Sequence, residues 1–394
     1  MKGSRLLVLS GVASFLCTAG LAVGGPGTGI KAGQVIIHPH ANLSATHDSN
    51  VYRTSNDRES DAYFDGMAGL LLRYSALRFS LDAKGYAGTR NYLDETGLDF
   101  TYWGESVNLL WGAREQALLT LSQSYRKTED IDLYGSEYAV GGVSADSILD
   151  VSSRREREIS QIGLSLGRRM SDKVEMDLGV RYDAVDYEGE GLQDLNGVAG
   201  SWETAFRMTP KTAAFLTAQY GVQNGKGDNE SATTYAGRLG LKTLGTDKVV
   251  FRAGIGMQSF DPDEGEDQTA VSYDGSATWA ATEKILFQAG GRNGLTKSVL
   301  AANQGVEYSS FRLGMLGRIS NVLNFSVAGA WRLDDYLDTD REDTGLGVRT
   351  RLDYLAPSGA LRVYYEMAYE NVDSNMDDRD YRGLRSTVGL NLRY

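Results

Sequence analysis

The stretch "GLRSTVGLNLRY" (residues 383–394) spaces Val388, Leu390, Leu392 and Tyr394 two apart, with Arg385, Thr387, Asn391 and Arg393 on the alternate positions. Successive side chains of a β-strand point to opposite faces, so this segment reads as a strand with one apolar and one polar face. The same period governs "VEMDLGVRYDA" (174–184), where Val174, Met176, Leu178, Val180 and Tyr182 alternate with Glu175, Asp177, Arg181 and Asp183. It governs "KVVFRAGIGMQ" (248–258), "LNFSVAGAWRL" (323–333) and "TGLGVRTRLDYL" (344–355) as well.

From about residue 61 one unit repeats: an alternating run of 12 to 14 residues, a short turn, a second run and a longer polar loop. The short turns fall at "YSAL" (74–77), "GAREQ" (112–116), "MSDK" (170–173), "MTPK" (208–211), "GTDK" (245–248), "TEK" (282–284), "SNVL" (320–323) and "APSG" (356–359). Their spacing is mostly 36 to 39 residues, with one interval near 58 where a long loop is inserted. A propeller blade has a similar period but must fit four short strands into it, and each unit here holds two long ones.

Long amphipathic hairpins suit either a soluble sandwich with the apolar face inward or a membrane barrel with that face outward. Soluble strands usually run about 5 or 6 residues, whereas outer-membrane strands need roughly 9 to 11 within lipid, so length favours the membrane. The polar faces agree, because they mix Arg, Asp and Gly as a water-filled lumen tolerates. Counting runs predicts an all-β, antiparallel up-and-down barrel of about 18 strands, from a first strand near 34–47 to a last at 382–394. An even number puts both ends on the side of the short turns, the periplasmic side, with nine longer loops outside. In "DFTYWGESVNLLW" (99–111) the apolar parity switches near Gly104, and a bulge is the expectation there.

Aromatic residues collect where girdles are expected: Tyr74, Trp111, Trp279, Tyr354 and Tyr394 beside short turns, and Tyr92, Tyr125, Tyr187 and Tyr336 beside long loops. The closing strand, with Val388, Leu390, Leu392 and the terminal Tyr394, resembles the signal read by the outer-membrane barrel assembly machinery. Lipids of that membrane, lipopolysaccharide included, are then expected partners.

Composition sets the remaining bounds. The 394 residues are 41% hydrophobic and 23% charged, and 47 Gly and 22 Tyr against 5 Pro suit strands and turns. Lys2 and Arg5, an apolar run and small residues lay out a secretory signal over 1–24, followed by a periplasmic linker over 25–33 and the barrel over 34–394. Losing Lys2 and Arg5 would take the net charge from -12 to -14, which argues against a nucleic-acid partner. The one cysteine, Cys17, lies in the signal, which leaves no thiol chemistry, disulfide or cysteine metal site.

Catalysis and cofactors find no support. "GLSLG" (163–167) has the spacing of a nucleophile elbow around Ser165 but sits inside a strand, and all three histidines, His38, His40 and His47, precede it. Ser44 and His47 lack an orienting acid, and His38 and His40 share a strand face without a third ligand, so neither a catalytic nor a metal site is assigned. The acidic loops at 261–268, 333–344 and 374–381 could bind divalent cations, but solvated rim charge is the favoured reading. The long segment 129–155 is too apolar to stay in water and is expected to fold into the lumen or across the rim.

The polar faces supply the lumen candidates: Asp82, Asp177, Arg181, Asp183, Glu203, Arg207, Arg238, Arg252, Asp274, Arg312, Arg332, Arg349, Arg351 and Glu366. They could line a channel, stiffen the wall by pairing across strands, or do both.

Residues 35–74 resemble the opening of a family of β-barrel porins found beside exopolysaccharide genes. A Pro-led first strand meets an Asp-x-Asn-Val-Tyr segment, and an acidic residue starts strand two; Pro39, Asp48, Asn50, Val51, Tyr52 and Asp61 occupy those positions. The resemblance implies an outer-membrane protein working with a periplasmic polysaccharide export protein and a polysaccharide. The residues alone reach a pore, since a barrel of 16 to 18 strands is wide enough for water. A gated polysaccharide conduit is the leading expectation. A diffusion porin for small neutral or cationic solutes is the alternative, ahead of an adhesive barrel.

Overall fold

A computed structural model describes residues 21–23 (backbone only), 28–113, 115–129, 156–188, 193–226, 231–244, 248–263, 265–298, 305–337, 339–376 and 380–394. Two three-residue strands, β1 (Leu21–Val23) and β2 (Ile30–Ala32), precede the long ones. The long strands begin with β3 (Val35–Asp48), β4 (Asp61–Ala76), β5 (Phe79–Tyr92), β6 (Phe100–Ala113), β7 (Ala117–Thr128) and β8 (Arg157–Arg169). They continue with β9 (Val174–Tyr187), β10 (Asp194–Thr209), β11 (Thr212–Lys226), β12 (Ser231–Thr243), β13 (Val249–Pro262) and β14 (Gln268–Ala280). The last six are β15 (Ile285–Lys297), β16 (Gly305–Arg318), β17 (Leu323–Tyr336), β18 (Glu342–Leu355), β19 (Leu361–Ser374) and β20 (Tyr381–Arg393).

Each long strand pairs antiparallel with the next, and β20 returns to β3 over Arg385↔Asp48 to Arg393↔His40. The wall is therefore a closed 18-strand antiparallel barrel, β3 to β20. Except where the upper ends of β14 and β15 part, closure leaves no sheet edge in the wall, the one way extended backbone can satisfy its polar groups in lipid. The strands flanking all eight expected short turns are present, the first turn moved to 77–78 because β4 runs on to Ala76; residues 114 and 245–247 of two of these turns lie outside the described residues.

Val35 to Ile37 pair with β2 instead of β20, across a two-residue turn that Gly33 enters at φ +63°. Such a left-handed turn position favours glycine. Pro39 stands where β3 changes neighbours. Its carbonyl accepts the Tyr394 N–H at 2.9 Å, so its missing donor also points to the β20 side and the ladder to β4 loses nothing.

One face carries an apolar belt: Val388, Leu390 and Leu392 on β20, Leu239 and Leu241 on β12, and Ile255 and Met257 on β13 are all exposed. Of the expected girdles, Trp111, Trp279 and Tyr354 are exposed on that face at the short-turn end. At the other end the expectation needs correction. Tyr92 and Tyr336, at 4% and 3% exposure, are turned into the barrel, and Tyr187 shares the inward parity of Asp183. Alternation from Arg90 and Arg332 carries them there, whereas Tyr125 faces outward as expected, opposite Glu105 and with its ring centroid 4.3 Å from that of Trp103; exposed outward aromatics at that end include Trp103, Tyr182, Tyr220, Tyr235 and Phe311. The bulge expected at Gly104 is absent too, since the β5–β6 register runs unbroken from Arg90↔Phe100 to Phe79↔Trp111. The apparent change of parity has another source: Phe100 and Tyr102 face inward, where Tyr102 donates to Asp65 at 2.5 Å, and Glu105 is an outward polar residue.

The proposed signal lies outside the described residues except for Leu21–Val23, which pairs with β2. Residues 130–155, the body of the long loop expected to plug the lumen or cover the rim, lie outside them altogether.

Candidate functional site

All fourteen candidate residues fall on the barrel's inner face, where strand register joins most of them into ionic ladders. On β10 to β14, Glu203 receives Lys242 at 2.7 Å and Arg252 at 2.8 Å. Arg252 also reaches Asp274 at 3.4 Å, and Arg238 approaches Asp274 at 3.8 Å while donating to Ser272 at 2.8 Å and Gln219 at 3.1 Å. On β18 and β19, Arg351 bridges Asp353 at 3.1 Å and Glu366 at 3.5 Å, and Arg349 approaches Glu366 at 3.7 Å. Arg181 pairs with Asp183 at 2.7 Å, Arg207 with Glu175 at 3.7 Å, Arg332 with Asp334 at 2.7 Å and Asp82 with Arg73 at 3.3 Å. Asp177 lies opposite Glu203, and Arg312 opposite the buried Ala330.

Arginine dominates these ladders because its planar fork can serve two carboxylates on neighbouring strands at once. Its flat face is used too. The Arg252 guanidinium lies 3.8 Å from the ring centroid of the buried Phe215, and Arg351 lies 3.9 Å from that of Tyr364. Phe215 has room only because Gly240 lies beneath it; a Cβ there would meet the ring at 2.4 Å.

The end of the barrel opposite the short turns is drawn in from two sides. On the first side the segment between β3 and β4 folds inward around the family-motif residues. Asn50 donates to the Thr54 carbonyl at 2.8 Å and the Arg382 carbonyl at 3.1 Å, while Asp48 accepts the Asn50 N–H at 3.0 Å. Val51, fully buried, packs on the inward Tyr63 and Tyr92, a contact that contributes about 1.5–3 kcal/mol. Asp61 accepts the N–H groups of Asp94 and Glu95 at 3.1 and 2.9 Å, fixing the loop after β5, and the Tyr52 hydroxyl donates to Glu95. Arg53, at a left-handed φ of +56°, reaches across to Glu370 at 2.7 Å and the Tyr381 hydroxyl at 3.2 Å, and Arg385 holds the other Glu370 oxygen. Burial opposes the Arg53 charge most strongly, but Glu370, Tyr381 and Asp48 together outweigh it and hold the guanidinium above its ordinary pKa.

On the second side the top of β15 parts from β14, while β16 stays laddered to β17 up to Val306↔Tyr336. The β14–β15 ladder stops at Asp274↔Arg292, although β15 stays paired with β16 up to Lys297↔Gly305. Beyond that point Leu295 packs with Phe260 and Ala232 on the inner side of β13 and β12. Leu337 joins this cluster, and nearby Arg341 bonds Asp343 and lies 4.4 Å from the Tyr336 ring centroid. Asp334 and Asp343, from the acidic 333–344 segment, are thus buried in arginine pairs and are not solvated rim charges.

Sequence reasoning missed Arg53, Glu370, Arg385 and the three glutamines that meet the top of β15: Gln193, Gln223 and Gln258. His38 and His40 do share the inner face, and among the described residues no group of three metal-ligating side chains occurs.

A model of the family described as "Putative beta-barrel porin 2" matches residues 25–394. No curated protein matches the sequence. Similar solved structures include Pseudomonas aeruginosa OpdQ, at 12% identity and a TM-score of 0.48 over 92% of this chain and 99% of that one. P. aeruginosa OpdO follows at 14% identity and 0.47 over 91% and 97%, and the Acinetobacter baumannii siderophore receptor PirA at 9% and 0.46 over 93% and 82%.

Proposed function

We propose, from the premise that this chain belongs to that β-barrel porin family and resides in the outer membrane of a Gram-negative bacterium, that it is a restricted pore for small hydrophilic solutes. The observation that carries this reading is the inner wall, where charged side chains continue from Asp82 near the short turns to Asp334 at the far end. A water-filled path satisfies such a surface, and a dry lumen would strand it. Because the charges are interleaved in opposite pairs, the wall favours neutral and zwitterionic solutes over ions of either sign.

Proteoliposome swelling tests the reading. Vesicles holding the protein should swell in mono- and disaccharides and fail to swell in long oligosaccharides. No swelling in any sugar would overturn it.

Export of a polysaccharide remains the second reading, favoured by the opening motif and by a mouth drawn in at rest, since an idle export conduit must not leak. It predicts that small sugars are refused until a periplasmic partner is supplied.

A further inference from the structure

The departure of β15 from the wall leaves two facing sets of backbone groups in need of partners. On β14, the Tyr273 N–H donates to the Asn293 side-chain oxygen at 2.6 Å, and the Val271 carbonyl accepts from the Asn293 amide at 2.6 Å. The edge of β14 above Asp274 has no strand partner among the described residues. On β15, glutamines from the inner faces of β13 and β11 and from the loop before β10 stand in for the missing strand. Gln258 donates to the Leu295 carbonyl at 2.7 Å, Gln223 accepts the Lys297 N–H at 2.8 Å, and Gln193 donates to the Ser298 carbonyl at 2.8 Å.

Two of the three groups so capped, on Leu295 and Lys297, are the ones the wall would use. Extending the register set by Asp274↔Arg292 puts Leu295 opposite Val271 and Lys297 opposite Thr269. Tyr273 and Val271 direct their N–H and carbonyl toward β15, so the odd residues of β14 form the hydrogen-bonded pairs. The Leu295 carbonyl and the Lys297 N–H, now held by glutamines, have in Val271 and Thr269 alternative partners of the same kind. Side-chain parity agrees: Leu295 has the parity of the exposed Phe287 and would join the apolar belt.

Resting on the pore reading, we propose that the upper end of β15, Asn293 to Lys297, is a gate with two hydrogen-bonded states. In the inward state, seen here, the glutamines cap β15 and the mouth is narrowed. In the outward state β15 zips onto β14, completes the wall and widens the mouth. For the Leu295 carbonyl and the Lys297 N–H the exchange is bond for bond, so neither state strands them, the condition for two packings to lie close in free energy. The fixed end is built for it. Tyr273 and Phe311 stack across β15 at 5.9 Å over Gly291, where a Cβ would meet the Phe311 ring at 2.7 Å.

Two cysteine pairs in the full chain carrying Cys17→Ser test the gate. Leu295→Cys with Ala232→Cys bridges the inward state; Leu295→Cys with Val271→Cys bridges the outward one, because now Val271 is exposed on the outer face while Leu295 is buried inside. Opposed strand residues lie within disulfide reach. Both pairs should form disulfides, seen as a gel-mobility shift reversed by reductant. The inward lock should lose the large single-channel steps in a planar bilayer and the outward lock should hold them steadily. Adding Gln223→Ala and Gln258→Ala should raise the yield of the outward disulfide. Failure of the 271–295 pair to form while the native barrel conducts would overturn the gate alone, and so would two locks with identical conductance. Silence from the native barrel and from both locks would overturn the pore reading itself.

Discussion

Arg53 shows how one side chain sets the state of the mouth. It is buried, it holds a left-handed backbone conformation that non-glycine residues rarely adopt, and its charge is answered by a Glu370 shared with Arg385. Replacing Glu370 with Gln leaves Arg53 buried beside a neutral partner, and removal of one member of a buried pair costs about 3–5 kcal/mol. The expected result is a lower Tm and rapid proteolytic cleavage within residues 49–60, while the rest of the barrel stays resistant. Asn50→Ala should expose the same segment, at about 1–3 kcal/mol for the backbone groups it strands. None of this was legible in the Asp-x-Asn-Val-Tyr segment, which marked the place and not the contact: Glu370 lies 317 residues away from Arg53. The inward tyrosines were legible. Tyr92 shares parity with Asp82, and Tyr336 with Arg332, but nearness to a loop suggested a girdle where alternation already pointed inward.

At the scale of a strand, the two-residue period decided almost everything. The closing strand β20 runs as its alternation requires, because a one-residue slip would turn Leu390 and Leu392 into the lumen and Asn391 into lipid. Leu390→Arg should destabilise the folded barrel by about 2–4 kcal/mol in a urea titration within lipid vesicles, and Asn391→Arg, on the inner face, by far less. An equal loss for both would contradict the assignment of faces. Strand β15 marks the limit of this kind of reading. Its own residues alternate like those of any wall strand. What draws its upper end inward is a set of glutamines from β11, β13 and the loop before β10, a relation that exists only once the barrel has closed.

For the whole molecule, the expected count of 18 strands with short turns at one end matches the closed barrel, since a long run of hairpins with one apolar face admits few other closures. In the proposed pore the lumen is a water path whose paired charges leave it nearly indifferent to the sign of an ion. The reversal potential across a KCl gradient should therefore stay near zero, and Glu203→Gln, by freeing Lys242 and Arg252, should shift it toward anion preference. The measurement that tests the central claim most directly is single-channel recording of the native barrel in a planar bilayer. Resolved steps that grow in proportion to salt concentration are predicted. A bilayer that takes up the folded protein and stays silent at both polarities would contradict the account.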